Sequence, residues 1–212
     1  VRLVDIEGSE NPSQNFITLR NSYLLAPSNG QGSTIAVDIH NASPRLINNV
    51  IFGGSSRTTL AVNMLDSPAT KLLHNTISGG VAFDSATALQ SFRSSPTISN
   101  NIAFTEAGGT QTVIRFLDEQ PSNSTFIQNN VLFGIQSAGS DQPKIYFDFH
   151  PSFSHVYESV AQLNTVGLRF QTNYAFSSPL NLLLQESNLD RRNWRLRAGT
   201  AAENHGVNTT NL

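Results

Sequence analysis

The stretch Ile98-Ser99-Asn100-Asn101-Ile102-Ala103-Phe104 (ISNNIAF) sets two asparagines between short apolar runs, and its reading decides the fold. Alone it is a polar turn between two strands. The chain repeats it as LINNVIF at 46–52, LLHNTIS at 72–78 and IQNNVLF at 127–133, and more faintly as LRNSYLL at 19–25. Aligned on the second polar position, the phrases place Asn21, Asn49, Asn75, Asn101 and Asn130 in steps of 28, 26, 26 and 29 residues. A period of that size marks a repeat architecture.

What lies between the asparagines says which kind. No i, i+3, i+4 helical pattern appears there. Alternating runs appear instead: TIAVDIH at 34–40, TLAVNML at 59–65, TVIRFLD at 112–118, a degenerate ALQSF at 88–92 and IYFDFH at 145–150. Alternation with period two indicates half-buried strands. Each unit therefore holds a short strand, an asparagine turn, a second short strand, a Gly/Ser-rich loop (GGSSR at 53–57, SGG at 78–80, EAGG at 106–109) and a third strand. Three short strands in a coil of about 26 residues describe an all-β, right-handed parallel β-helix whose coils stack at about 4.8 Å. At each corner asparagine tolerates left-handed backbone angles, and its stacked amides can pass hydrogen bonds from coil to coil. Residues 1–149 read as these coils. Residues 150–212 read as a capping segment of the same domain, with YESVAQL at 157–163 a short helix or packed loop.

Composition narrows the function. The 212 residues suffice for one domain with a sizeable core, and a net charge of −2 without any Lys/Arg run leaves no footprint for nucleic acid. Charged residues make up only 13% of the chain against the usual quarter or so, and Ser, Thr, Asn and Gln fill the gap. The absence of cysteine removes disulfides, thiolate zinc sites and cysteine nucleophiles together. No apolar run is long enough for a transmembrane helix. A first residue of Val1 in place of Met leads us to expect a processed chain or a fragment, with targeting and anchoring segments elsewhere.

The units SPRLINNVIFGG and SPTISNNIAF resemble the β-helix repeats of the pectate-lyase-like superfamily, over about 16–149. The tail at 177–208 resembles the choice-of-anchor element that ends many bacterial β-helix surface proteins. Ser178-Pro179-Leu180, Asn193-Trp194-Arg195-Leu196, Ala198-Gly199-Thr200-Ala201-Ala202 and His205-Gly206-Val207 carry that resemblance. It departs from the usual pattern at Ser178, Thr200-Ala201 and Asn204-His205, where aspartates and a Ser-Pro would be expected. The resemblance implies a catalytic face on one parallel sheet, with acidic residues holding calcium and an arginine or lysine as base, for enzymes that cleave acidic polysaccharides.

The third strands were therefore searched for such a face. Their outward column reads Asp38, Asn63, Gln90, Arg115 and Asp148, flanked by His40, Leu65, Phe92, Leu117 and His150. Calcium requires several oxygen ligands, yet Asp38 and Asp148 stand four coils apart, about 19 Å on the coil spacing. They share no ion on this alignment, so no cofactor or metal is assigned and calcium is unsupported by the spacing. Asp38-Ile39-His40 and Asp148-Phe149-His150 repeat a D-x-H pattern, readable as ligand-binding dyads or simply as the polar side of alternating strands. Asp66, Arg93 and Asp118 at the strand ends form the best catalytic candidate, about 9–10 Å across on coil spacing, against the plainer reading of a surface salt bridge. Two functions follow as expectations. One is a non-catalytic bacterial surface or secreted scaffold contacting polysaccharide or a cell-surface glycan. The other is a lyase or glycoside hydrolase of acidic polysaccharide.

Overall fold

The computed structural model describes residues 1–8, 17–117, 125–136, 141–150, 153–170 and 172–175. The chain is a parallel β-solenoid built on three sheets. The first sheet holds β1 (Arg2–Glu7), β4 (Ser28–His40), β7 (Ser55–Leu65), β10 (Val81–Phe92), β13 (Thr110–Leu117), β16 (Lys144–His150) and the antiparallel β17 (Phe153–Tyr157). The second stacks β2 (Thr18–Arg20), β5 (Arg45–Ile47), β8 (Lys71–Leu73), β11 (Thr97–Ser99) and β14 (Phe126–Gln128). The third stacks β3 (Tyr23–Leu25), β6 (Val50–Phe52), β9 (Thr76–Ser78), β12 (Ile102–Thr105), β15 (Val131–Gly134) and β18 (Tyr174–Ala175).

Alternation explains the core. Each three-residue strand of the second sheet sends its middle residue inward, so Leu46, Leu72, Ile98 and Ile127 stack in full burial. Ile51, Ile77, Ala103 and Leu132 do the same from the third sheet. Val37 and Ile39, Val62 and Met64, and Ile114 and Phe116 complete the column from the first sheet. A second apolar cluster gathers Ile102, Phe104, Val131 and Phe133, with the two phenyl rings stacked at 5.0 Å. Burying a large apolar side chain contributes about 1.5–3 kcal/mol, and no single coil could do so alone.

The corners show how the doublet works. The left-handed residues are Asn21, Asn48, His74, Asn100 and Asn129, with φ between 54° and 58°. The residue after each of them points inward. Asn49, Asn75, Asn101 and Asn130 are buried, and each Nδ2 donates to the Oδ1 of the next coil's asparagine at 3.0–3.1 Å. Each Oδ1 also accepts the backbone N–H of the residue below it: Asn75 Oδ1 from Asn49 at 2.9 Å, Asn101 Oδ1 from Asn75 at 2.8 Å. The placement of Asn21 among these rungs is therefore corrected. It is in register with Asn48, the left-handed residue, because Arg20 pairs with Ile47, and Ser22 stands at the rung position. The left-handed backbone and the continuous buried ladder belong to different residues, although the exposed Asn48 Nδ2 also donates to Asn21 Oδ1 at 2.8 Å.

The ladder also runs beyond Asn130. Asn173 supplies the next Oδ1, and Asn164 at the end of α1 (Val160–Asn164) closes it, with Asn164 Oδ1 accepting from Asn173 N–H and Nδ2. The helix starts on a capping box, Ser159 with Gln162. A second corner follows the first sheet, where Asn41, Asp66 and Arg93 are left-handed. There Ser67 N–H donates to Ser94 Oγ at 2.9 Å, a serine counterpart of the ladder. Between the third sheet and the first, Gly54 and Gly80 turn at φ 93° and 84°, and a Cβ on Gly80 would collide with the Gly54 carbonyl. The anchor-like tail at 177–208 lies outside the described residues.

Candidate functional site

The outward column of the first sheet carries the polar side chains that the core does not use. Register places Asp5, Asp38, Asn63, Gln90, Arg115 and Phe147 side by side on successive strands. Asp148 is not in it. Pairing of Ile114 with Tyr146 buries the tyrosine ring against Phe116, at 5.7 Å, and Phe170, at 6.1 Å. A one-residue slip reverses every face, so Phe147 and Phe149 point outward and Asp148 inward. The reading that put Asp148 in the outward column is thus corrected: Asp148 is buried, and Phe149 is half exposed. His150, at the end of β16, pairs in register with Phe153, and Phe149 takes the flanking position beside Leu117.

Asp148 is satisfied by the antiparallel β17. Its Oδ1 accepts His155 N–H at 2.8 Å and lies 3.0 Å from His155 Nδ1, a partner that sequence spacing did not reveal. Burial, and then Asp148, raises the pKa of the Tyr146 hydroxyl far above its ordinary value.

At the other end the column brings together what the sequence reading kept apart. Asp5 is one coil from Asp38, so the expectation that the column's carboxylates lie too far apart to share an ion, which rests on Asp38 and Asp148, is corrected. Asp38 is 1% exposed, and its Oδ1 accepts from Asn63 Nδ2 at 2.8 Å. Asn63 Oδ1 in turn accepts from Gln90 Nε2 at 3.0 Å. His40 Nε2 lies 2.9 Å from Asp38 Oδ1, and Arg2 Nε lies 2.7 Å from Asp38 Oδ2. Neither contact has hydrogen-bond geometry, so Asp38 Oδ2 and His40 Nε2 are buried atoms that make no hydrogen bond. Arg2 NH1 donates to Asp5 Oδ2 at 3.0 Å, and this hydrogen bond, followed by the charge of Asp38, raises the guanidinium's pKa. One ligand atom from each of Asp5, Asp38 and His40 falls within 4.8 Å of the others. Only three donors, one of them an imidazole nitrogen, make a poor match to calcium's preference for six to eight oxygens.

Toward the capping end of the column, burial lowers the pKa of the Arg115 guanidinium, whose Nε has no hydrogen-bond partner. Its Cζ lies 5.9 Å from the Phe147 ring, Lys144 Nζ lies 5.5 Å from the same ring, and Phe147 and Phe149 stack at 6.5 Å. Two cations thus border an aromatic platform.

The strand-end candidates form a different feature. Arg93 grips Asp66 through two hydrogen bonds of 2.7 Å and lies 4.5 Å over the Phe92 ring, on an exposed corner. Asp118 lies outside the described residues. Arg57 donates to Asp84 at 2.6 Å. Buried Glu106 accepts from Ser78 Oγ at 2.8 Å, one coil step away in sequence.

A cavity of about 260 Å³ lies at the capping end, lined by Leu132, Pro143, Ile145, Glu158 and Val160, away from these columns. Among the described residues no helix is long and apolar enough to cross a membrane, which leaves membrane-spanning strands unaddressed. No family model matches the chain, and the searches of curated proteins and of solved structures likewise found no match.

Proposed function

We propose that the protein is a non-catalytic β-solenoid scaffold, of the bacterial surface or secreted kind, whose first-sheet face holds an acidic glycan. The observation that carries this reading is the platform of Phe147 and Phe149 bordered by Arg115 and Lys144. Aromatic faces stack on sugar rings, and a half-buried guanidinium beside them is suited to a uronate carboxylate. The resemblance of the coils to pectate-lyase-like repeats, and of the tail to anchor-type surface proteins, supports the class and the location.

A second reading, a lyase or hydrolase of acidic polysaccharide, draws on the closeness of Asp5 and Asp38. Asp38 is nearly inaccessible, however, and Arg2 contacts both carboxylates, so the scaffold reading is preferred. Calorimetric titration with polygalacturonate and with a neutral glucan separates the possibilities. Scaffold binding predicts affinity for the acidic polymer, weakened about tenfold or more by Arg115→Gln, with neither the absorbance of unsaturated uronate (a lyase) nor new reducing ends (a hydrolase). Failure to bind either polymer, or the appearance of either product, overturns it.

A further inference from the structure

We infer that Asp5, Asp38 and His40 form a binding site for a divalent transition-metal cation such as zinc. The site lies on β1 and β4 and stands whether or not the sheet face holds a glycan.

Three facts converge. The ligand atoms of the three residues come from adjacent coils and lie within 4.8 Å of one another, a span one ion can bridge. Asp38 is 1% exposed, yet its Oδ2 makes no hydrogen bond, and neither does the buried His40 Nε2. Buried polar atoms nearly always have hydrogen-bond partners. Two such atoms in one cluster, held only by the Arg2 contact and by the His40–Asp38 contact, are both able to donate an electron pair to a metal. Finally, the cluster already attracts a cation. The Arg2 guanidinium contacts Asp5 Oδ2 at 3.0 Å and Asp38 Oδ2 at 2.7 Å.

The donor set selects the metal. Two carboxylates and one imidazole match zinc, cobalt(II) and similar ions, whereas calcium and magnesium take oxygen ligands. The donors of Asn63 and Gln90 run toward Asp38 Oδ1 and hold that carboxylate in place. Arg2 is half exposed, so its side chain can leave the carboxylates to a more highly charged ion at little structural cost. Glu7, in register with His40, adds a further negative charge nearby.

The test uses the whole chain, stripped with a chelator and titrated separately with zinc, cobalt(II) and calcium. Cobalt absorption in the visible range and the melting temperature are the readouts. We expect saturable binding of one zinc or cobalt ion, with calcium much weaker. Asp5→Asn and His40→Gln, both at partly exposed side chains, should each weaken binding by at least the roughly ten- to hundredfold that losing a residue which only orients a metal ligand costs. Arg2→Gln should tighten it by removing the competing cation. Far-UV circular dichroism confirms that each variant is folded, and either ligand variant suffices if the other is not. Absence of binding in both the native chain and Arg2→Gln overturns the site. So does native-like binding by His40→Gln and Asp5→Asn, or a preference for calcium.

Discussion

Two stacks of polar side chains climb this solenoid, and they obey opposite rules. The corner ladder from Asn49 to Asn173 repeats one residue. An amide both donates and accepts, so identical rungs can form an unbroken chain inside the protein. The first-sheet column changes at nearly every coil: Asp5, Asp38, Asn63, Gln90, Arg115, Phe147. A carboxylate only accepts and a guanidinium only donates. Gln90 and Asn63 relay hydrogen bonds toward the acidic end, and capacity is left over at both ends, at Asp38 Oδ2 and Arg115 Nε. A repeated, saturated stack is skeleton. A varied stack with unused donors and acceptors is where binding is to be sought.

That contrast can be broken by experiment. Asn101→Ala should have the largest effect. It strips both acceptor contacts from Asn75 N–H and Nδ2 and the donor from the Leu72 carbonyl. Each buried group left unpaired costs about 1–3 kcal/mol, so denaturant unfolding should show a loss of roughly 3 kcal/mol or more. A loss below about 1 kcal/mol would mean that the ladder is not structural.

Asn63→Ala, in the open column, should cost less, about 1–2 kcal/mol, because solvent can reach part of what it leaves. Equal losses for the two variants would erase the distinction between the stacks.

The capping end offers a pH test. In the folded chain Tyr146 holds its proton well above the pH at which the unfolded chain releases it, near 10. The stability linked to this group is complete below that pH and falls as pH rises past it. Alkaline melting curves of Tyr146→Phe should fall less steeply than those of the native chain.

Arg93→Ala removes an ion pair on an exposed corner, so the expected loss is at most about 1 kcal/mol, shrinking as salt is added. Smallest of all, Asn21→Gly should change the melting temperature little. Glycine adopts the left-handed backbone without the cost a side chain adds there, whereas Asn49→Gly at the true rung should be severely destabilising.

The difference between Asn21 and Asn49 shows where sequence reading stops. The LRNSYLL phrase has a single asparagine, and only the pairing of Arg20 with Ile47 shows which half of the doublet it represents. The strand at 145–150 raises the same problem more sharply. With Tyr146, Phe147 and Phe149 it has aromatic residues on both faces, so alternation alone does not choose between them. Packing of Tyr146 against Phe116 and Phe170 does. Asp5 is hard to see as a neighbour of Asp38 because 33 positions separate them, more than any step between the asparagine phrases, and RLVDIE carries no sign of its register with TIAVDIH. Asn173, 43 residues after Asn130, falls outside the period altogether.

By itself the sequence determined the solenoid. A recurring Asn doublet, alternating short strands and glycine corners leave stacked parallel coils as the arrangement that buries Leu46, Leu72 and Ile98 together. The tertiary structure alone decided which side chains meet on the outer face. Contacts between coils depend on register, and register is set by which residues fit the core, a property of the stack that no single strand contains.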